Sequence, residues 1–126
     1  MPLTAKYFFV IASISAFVAV ALGAFAAHIL KEKLPVDLFN IFEVGVRYHI
    51  YHAFGLFVVA WAIAQFPDAN LSPAGWLMLA GTILFSGSLY ALSLSGTRWL
   101  GAITPLGGVC FLAGWFWLAW CVWKTM

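Results

Sequence analysis

Four long apolar runs, at about residues 7–30, 47–66, 74–95 and 100–123, account for most of this 126-residue chain. Each has about eighteen or more residues, the length at which a helix spans the ~30 Å hydrocarbon core of a bilayer. Mean hydropathy is +1.03, and 65% of the residues are hydrophobic against 8% charged. That is more apolar surface than one small globular core can hide, and a bilayer solvates the excess. Closed β-barrels are the other spanning solution, but barrel strands alternate in short segments, whereas these runs are continuous. The expected fold is an all-α membrane protein: one domain, residues 1–126, with four transmembrane helices in an antiparallel bundle. It is then expected to be a multi-pass membrane protein.

The net charge of +2 comes from scattered residues. No basic face able to track nucleic-acid phosphates exists, so the partners expected are the lipid bilayer and other membrane helices, not nucleic acid. Cys110 and Cys121 are eleven residues apart on one run, about 16 Å along a helix and beyond the ~7 Å reach of a disulfide. They read as apolar filler. Lys6 ahead of a run ending Ala24-Phe25-Ala26 has the outline of a secretory signal. The run is longer than the ~7–15 apolar residues of such signals, so it is expected to remain as a span.

Turn chemistry divides the runs. Lys31-Glu32-Lys33-Leu34-Pro35 ends the first helix, and Asp37 is positioned to cap the second. A second helix over residues 38–66 would be about 43 Å long, so it is expected to extend beyond the hydrocarbon at its N-terminal end. In the next loop Ser72 is a natural N-cap and Pro73 a first-turn proline. Residues 95–99 form a short hairpin, and Pro105 followed by Gly107-Gly108 suggests a kink in the fourth helix. Trp115, Trp117, Trp120 and Trp123 suggest an interfacial aromatic belt. Counting Lys31, Lys33, Arg47 and Arg98 on one side against Lys6 and Lys124 on the other predicts that both termini are non-cytoplasmic.

Small residues recur where helices could approach closely. Ser15, Ala19, Gly23 and Ala27 form a strict four-residue stripe, Gly87 and Ala91 with Ser95 repeat it on the third run, and Gly101, Gly107, Gly108 and Gly114 punctuate the fourth. In lipid, close backbone approach is what drives helix association. A tight bundle is expected, as is a homo-oligomer or a place in a larger membrane complex.

Ionisable chemistry gathers in one stretch, Glu43-Val44-Gly45-Val46-Arg47-Tyr48-His49-Ile50-Tyr51-His52. At about 100° per residue, Glu43, Arg47 and Tyr51 share a helical face, with Asn40 above them. Glu43 and Arg47 are spaced for an i,i+4 pair, Tyr48 and His52 form a second pair on the adjacent face, and His49 lies further round. His28, at the end of the first run, is carried by the loop towards Glu43 or Arg47. The group can sit at headgroup depth, or it can lie between helices, where ionisable residues usually pair and often mark a pathway. A metal or haem site is the third option. His49 and His52 are i,i+3 and could reach one ion, but structural zinc requires four ligands and no cysteine is near. No metal or cofactor is therefore assigned, and no phosphate loop, nucleophile triad or paired catalytic carboxylates are found.

Four segments together carry a family resemblance: Gly23-Ala24-Phe25-Ala26-Ala27-His28, the run from Phe42 through His52 to Ala53, Leu84-Phe85-Ser86-Gly87-Ser88-Leu89-Tyr90, and Leu100-Gly101-Ala102-Ile103-Thr104-Pro105-Leu106-Gly107-Gly108. The chain resembles the YgdD-like small membrane proteins of the family designated domain of unknown function 423, over nearly its whole length. The resemblance implies a four-helix, mostly bacterial membrane protein with no established biochemical activity. Two departures stand out: Ala26 where the family often has glycine, and His49 where it often has glutamine.

The functional expectation is a non-enzymatic membrane protein that binds or conducts a small polar or ionic ligand through His28, Glu43, Arg47, Tyr48, Tyr51 and His52. The alternatives are a structural or accessory membrane subunit with no ligand site, and a metal- or haem-binding redox protein.

Overall fold

The computed structural model describes residues 1–125. Its four long helices are α1 (Leu3–Lys33), α2 (Val36–Gln65), α3 (Ser72–Ser95) and α4 (Arg98–Lys124), each long and apolar enough to cross a membrane. Short connections make successive helices antiparallel, and no strand occurs among the described residues. The chain is an all-α, four-helix membrane protein. With 30 residues, α2 is about 45 Å long and overruns a ~30 Å hydrocarbon core.

Helix ends follow local chemistry. α1 stops at Lys33 because Leu34 is extended, at φ −98° and ψ 147°, the conformation into which a following proline steers its neighbour. Asp37, expected as the cap, lies within the first turn of α2, where Pro35 holds the cap position. It instead accepts a 2.6 Å hydrogen bond from Arg98, an exposed ion pair that links the start of α2 to the start of α4. Ser72 likewise opens α3 without a side-chain cap, with Pro73 in the first turn. α3 ends at Gly96, whose φ of +73° is the left-handed conformation glycine adopts without steric cost. α4 begins as a 3-10 turn, Arg98–Ala102. It becomes α-helical at Thr104 with Pro105 in the first turn, so the proline marks the start of regular helix where a kink was expected.

Two π-helical turns interrupt the spans, Ala26–Leu30 in α1 and Thr82–Ser86 in α3. Around them the helices meet through small residues. On α1, Ala5, Ala12, Ala19 and Ala26 are fully or almost fully buried, and a Cβ added to Gly23 would touch Val46 of α2 at 3.4 Å. Ala27 is exposed. A four-residue step turns a helix by about 400°, so a strict i,i+4 stripe drifts off its face, and Ala26 takes the packing position. The tightest crossing is between α3 and α4: a Cβ on Gly107 would collide with the Phe85 backbone nitrogen and sit 2.7 Å from Phe85 Cβ. Gly114 is also close, with a Cβ there 3.3 Å from the Ala74 carbonyl. Gly101 and Gly108 have looser neighbours, at 3.5 and 3.9 Å, and Gly87 has none within 4 Å. Ala91 is exposed.

The core is divided. At the end formed by the start of α1 and the end of α2, Phe8, Ala12, Leu56, Val59, Ala74, Met78 and Leu118 form one apolar cluster. At the other end Ala26, Leu30 and Phe42 form a smaller one. Along α2 the stretch between them, from Gly45 to His52, carries the buried polar groups. Replacing Gly107 by Ala should destabilise the bundle by about 1–3 kcal/mol, the usual cost of overpacking, whereas Gly87→Ala should be neutral or slightly stabilising. Thermal unfolding in mild detergent distinguishes the two.

Candidate functional site

His49 and His52 project from the inner face of α2 and are 6% and 5% exposed. Nothing in a bilayer core can hydrogen-bond them except protein, and the two are satisfied differently. His52 Nδ1 lies 2.8 Å from the Tyr48 carbonyl, which can only accept. Its Nε2 lies 3.0 Å from the Trp115 indole N–H, which can only donate. These two partners define a neutral imidazole protonated at Nδ1. The ring is also stacked on Phe111, with centroids 3.4 Å apart and planes 7° apart. His52 is locked.

His49 bridges three helices. Its Nδ1 is 2.8 Å from the Tyr90 hydroxyl of α3 and its Nε2 is 3.1 Å from Ser15 Oγ of α1. Both hydroxyls can donate or accept, so this node accommodates either tautomer. One turn earlier Gly45 makes room for Tyr90, whose ring carbon Cε1 would be 2.9 Å from a Cβ there. The Gly45 carbonyl accepts a 2.7 Å hydrogen bond from the fully buried Ser86, at the end of the π-helical turn of α3. Ser88 donates to the Phe85 carbonyl at 2.9 Å and lies 2.6 Å from Thr104 Oγ1 of α4. Among the described residues no buried side-chain nitrogen or oxygen lacks a hydrogen-bond partner, and no group of three metal-ligating side chains converges.

The other residues singled out in the sequence lie elsewhere. Arg47 is about 160° around α2 from His49 at 100° per residue, and it is exposed, as are Tyr51 and Asn40. Glu43 is half-buried. Among the described residues the one ion pair is that of Arg98 with Asp37, so the i,i+4 spacing of Glu43 and Arg47 does not produce a bond within the chain. His28 is exposed in the π-helical turn of α1 and hydrogen-bonds neither residue. Tyr48 and His52 do come together, stacked at 6.5 Å, and with Phe85, Phe111 and Trp115 they line a shallow apolar groove of about 430 Å³ that Glu43 and Arg47 do not reach. Trp115, placed by the sequence in an aromatic belt, belongs to this cluster. Ser15, His49, Ser86 and Tyr90 form the polar layer. The signal for His49 was present: it shares a helical face with Phe42, Gly45 and Leu56, and a polar residue on such a face needs hydrogen-bonding partners.

A protein family described as "Protein of unknown function (DUF423)" matches residues 22–108. The chain belongs to this family. The match takes in Gly45, His49, His52, Ser86, Tyr90 and Gly107, while Ser15 and Trp115 lie outside it. UPF0382 membrane protein YwdK of Bacillus subtilis (strain 168) is 50% identical over 111 residues, 87% of this chain and 90% of the relative. A UPF0382 membrane protein of Staphylococcus epidermidis is 44% identical, covering 87% of this chain and 89% of its own length. UPF0382 inner membrane protein YgdD of Escherichia coli (strain K12) is 37% identical, covering 90% of this chain and 86% of its own. No solved structure matches the chain. As a DUF423 protein it is a multi-pass protein of the bacterial inner membrane.

A glutamine side chain also carries one donor end and one acceptor end. His49→Gln is therefore expected to keep both hydroxyl partners and stay within about 0.5 kcal/mol of the parent, whereas His49→Leu should lose about 1–2 kcal/mol, the range for interhelical hydrogen bonds in membranes. Unfolding in detergent monitored by circular dichroism measures both.

Proposed function

We propose that this DUF423 protein acts without enzymatic chemistry, as a homo-oligomer in which copies meet along the outer face of α2. Asn40, Glu43, Arg47 and Tyr51 lie at that interface. One observation carries the reading: Arg47 points away from a bundle whose buried polar groups are already paired. It lies two residues, about 3 Å along the axis, from the level of His49, and His49 bonds Ser15, about 13 Å into the apolar run of α1 at ~1.5 Å per residue. A lone charge at such depth is costly, and charged residues there usually pair. Glu43 on the same face supplies the complementary charge, so two copies side by side can exchange Glu43 and Arg47 reciprocally, as a two-fold interface allows. A small polar or ionic ligand bound or passed by these side chains would occupy a site shared between copies, because within one copy Glu43 and Arg47 stand outside the groove of Tyr48 and His52.

Light scattering or native mass measurement in mild detergent tests this reading. The parent should contain more than one copy. Glu43→Ala or Arg47→Ala should each weaken association about five- to thirtyfold, equivalent to ~1–2 kcal/mol, and the exchange Glu43→Arg with Arg47→Glu should restore it. A monomeric parent would refute the reading. Recovery only with a different membrane protein would instead favour an accessory role in a larger complex.

The orientation proposed places both termini outside the cytoplasm. With Arg47 assigned to the interior of the bilayer, the side of the α1–α2 and α3–α4 connections keeps Lys31, Lys33 and Arg98 against Lys6 and Lys124, a bias in the same direction. An alkaline phosphatase fusion at residue 125 should be active, and a fluorescent cytoplasmic reporter there should be dark.

A further inference from the structure

The membrane face formed by the start of α1, the α2–α3 loop and the end of α4 has its own chemistry. Trp61, Trp76, Trp117, Trp120 and Trp123, five of the seven tryptophans, cluster at this end of the spans. Four of them are exposed, Trp117 being half-buried. Amphipathic rings collected in this way mark headgroup depth. A groove of about 460 Å³ opens here between the loop and the last turns of α4, lined by Asp68, Asn70, Trp117, Trp120, Cys121 and Lys124 among others. That volume lies within the ~300–1,000 Å³ typical of small-molecule sites.

Side-chain bonds shape the groove. The Trp117 indole donates a 2.8 Å hydrogen bond to the Asn70 carbonyl, fastening α4 to the loop. Lys124 Nζ stands 5.6 Å from the centroid of the Trp120 ring, so its ammonium lies against an aromatic face. Among the described residues neither Lys124 nor Asp68 belongs to an ion pair. The groove thus presents, among the described residues, one cation and one anion that form no ion pair with each other, at the level of lipid headgroups.

We infer that this groove binds the headgroup of a zwitterionic aminophospholipid, its phosphate at Lys124 and its ammonium at Asp68. Charge complementarity selects the occupant. An anionic glycerol-type headgroup meets Lys124 but offers Asp68 only neutral hydroxyl donors, whereas the ammonium of an aminophospholipid gives that carboxylate a charge-assisted hydrogen bond. A tail-less headgroup lacks the acyl chains that lie against the exposed aromatic surface beside the groove. The site is independent of the proposed interface on the outer face of α2, and its test reads neither oligomeric state nor transport.

The experiment is native mass spectrometry of the full chain, delipidated in mild detergent and offered phosphatidylethanolamine and phosphatidylglycerol with identical acyl chains. Phosphatidylethanolamine should be retained about three- to fivefold more, the scale of one exposed ion pair. Asp68→Asn should abolish that preference, and Lys124→Gln should lower retention of both lipids. Glycerophosphoethanolamine, which has no tails, should bind far more weakly. Both substitutions are on the surface, and an unchanged melting temperature identifies folded variants. Equal retention of the two lipids by the parent, a preference unaffected by Asp68→Asn, or tail-less binding as strong as that of the lipid would each overturn the assignment.

Discussion

The bundle is organised by a rule of its solvent: inside a bilayer a polar group must be bonded to protein, because no water is there to bond it. Between its two apolar clusters the inside of the bundle carries serines, the Tyr90 hydroxyl and two histidines, and these are tied across or along helices. The connection of Ser15, His49 and Tyr90 holds α1, α2 and α3 at one level. The bond from Ser86 to the Gly45 carbonyl and the bond from Trp115 to His52 add a second tie to α3 and one to α4. Apolar surfaces gain little from meeting in lipid, so close packing and these bonds determine which faces of the helices meet.

Small residues follow from the same requirement. A hydrogen bond from a short serine side chain to a neighbouring backbone carbonyl demands that two helices nearly touch, and Gly45 and Gly107 stand where they do. The π-helical turn Thr82–Ser86 ends on the serine that reaches α2. Single π-helical turns are rare and tend to accompany special sites, and here the turn coincides with the polar layer.

Much of the architecture was legible in advance. Continuous apolar runs identified four spans, and Pro35, Pro73 and the hairpin at residues 95–99 marked their ends. Face assignments were harder, because helical periodicity says which residues share a face and not which face meets a neighbour. Glu43, Arg47 and Tyr51 do share a stripe, but it lies opposite the buried one, and their spacing suggested a pair that the chain does not form within itself. His49 was set aside as an outlier to that stripe, although it occupies the inner face. Trp115 has the composition of an interfacial ring, but its N–H donates to His52 inside the bundle. Asp37, expected as the cap, is instead bonded by Arg98, distant in sequence.

With the interior closed on itself, the outward stripe of α2 is where function is proposed to reside, and its contact with another copy is the central claim. Disulfide cross-linking in native membranes tests it most directly. With Cys110 and Cys121 replaced by alanine, Tyr51→Cys should give a cross-linked dimer on mild oxidation, while Ile83→Cys, exposed on α3, should not. Cross-linking at residue 83 and none at residue 51 would contradict the account.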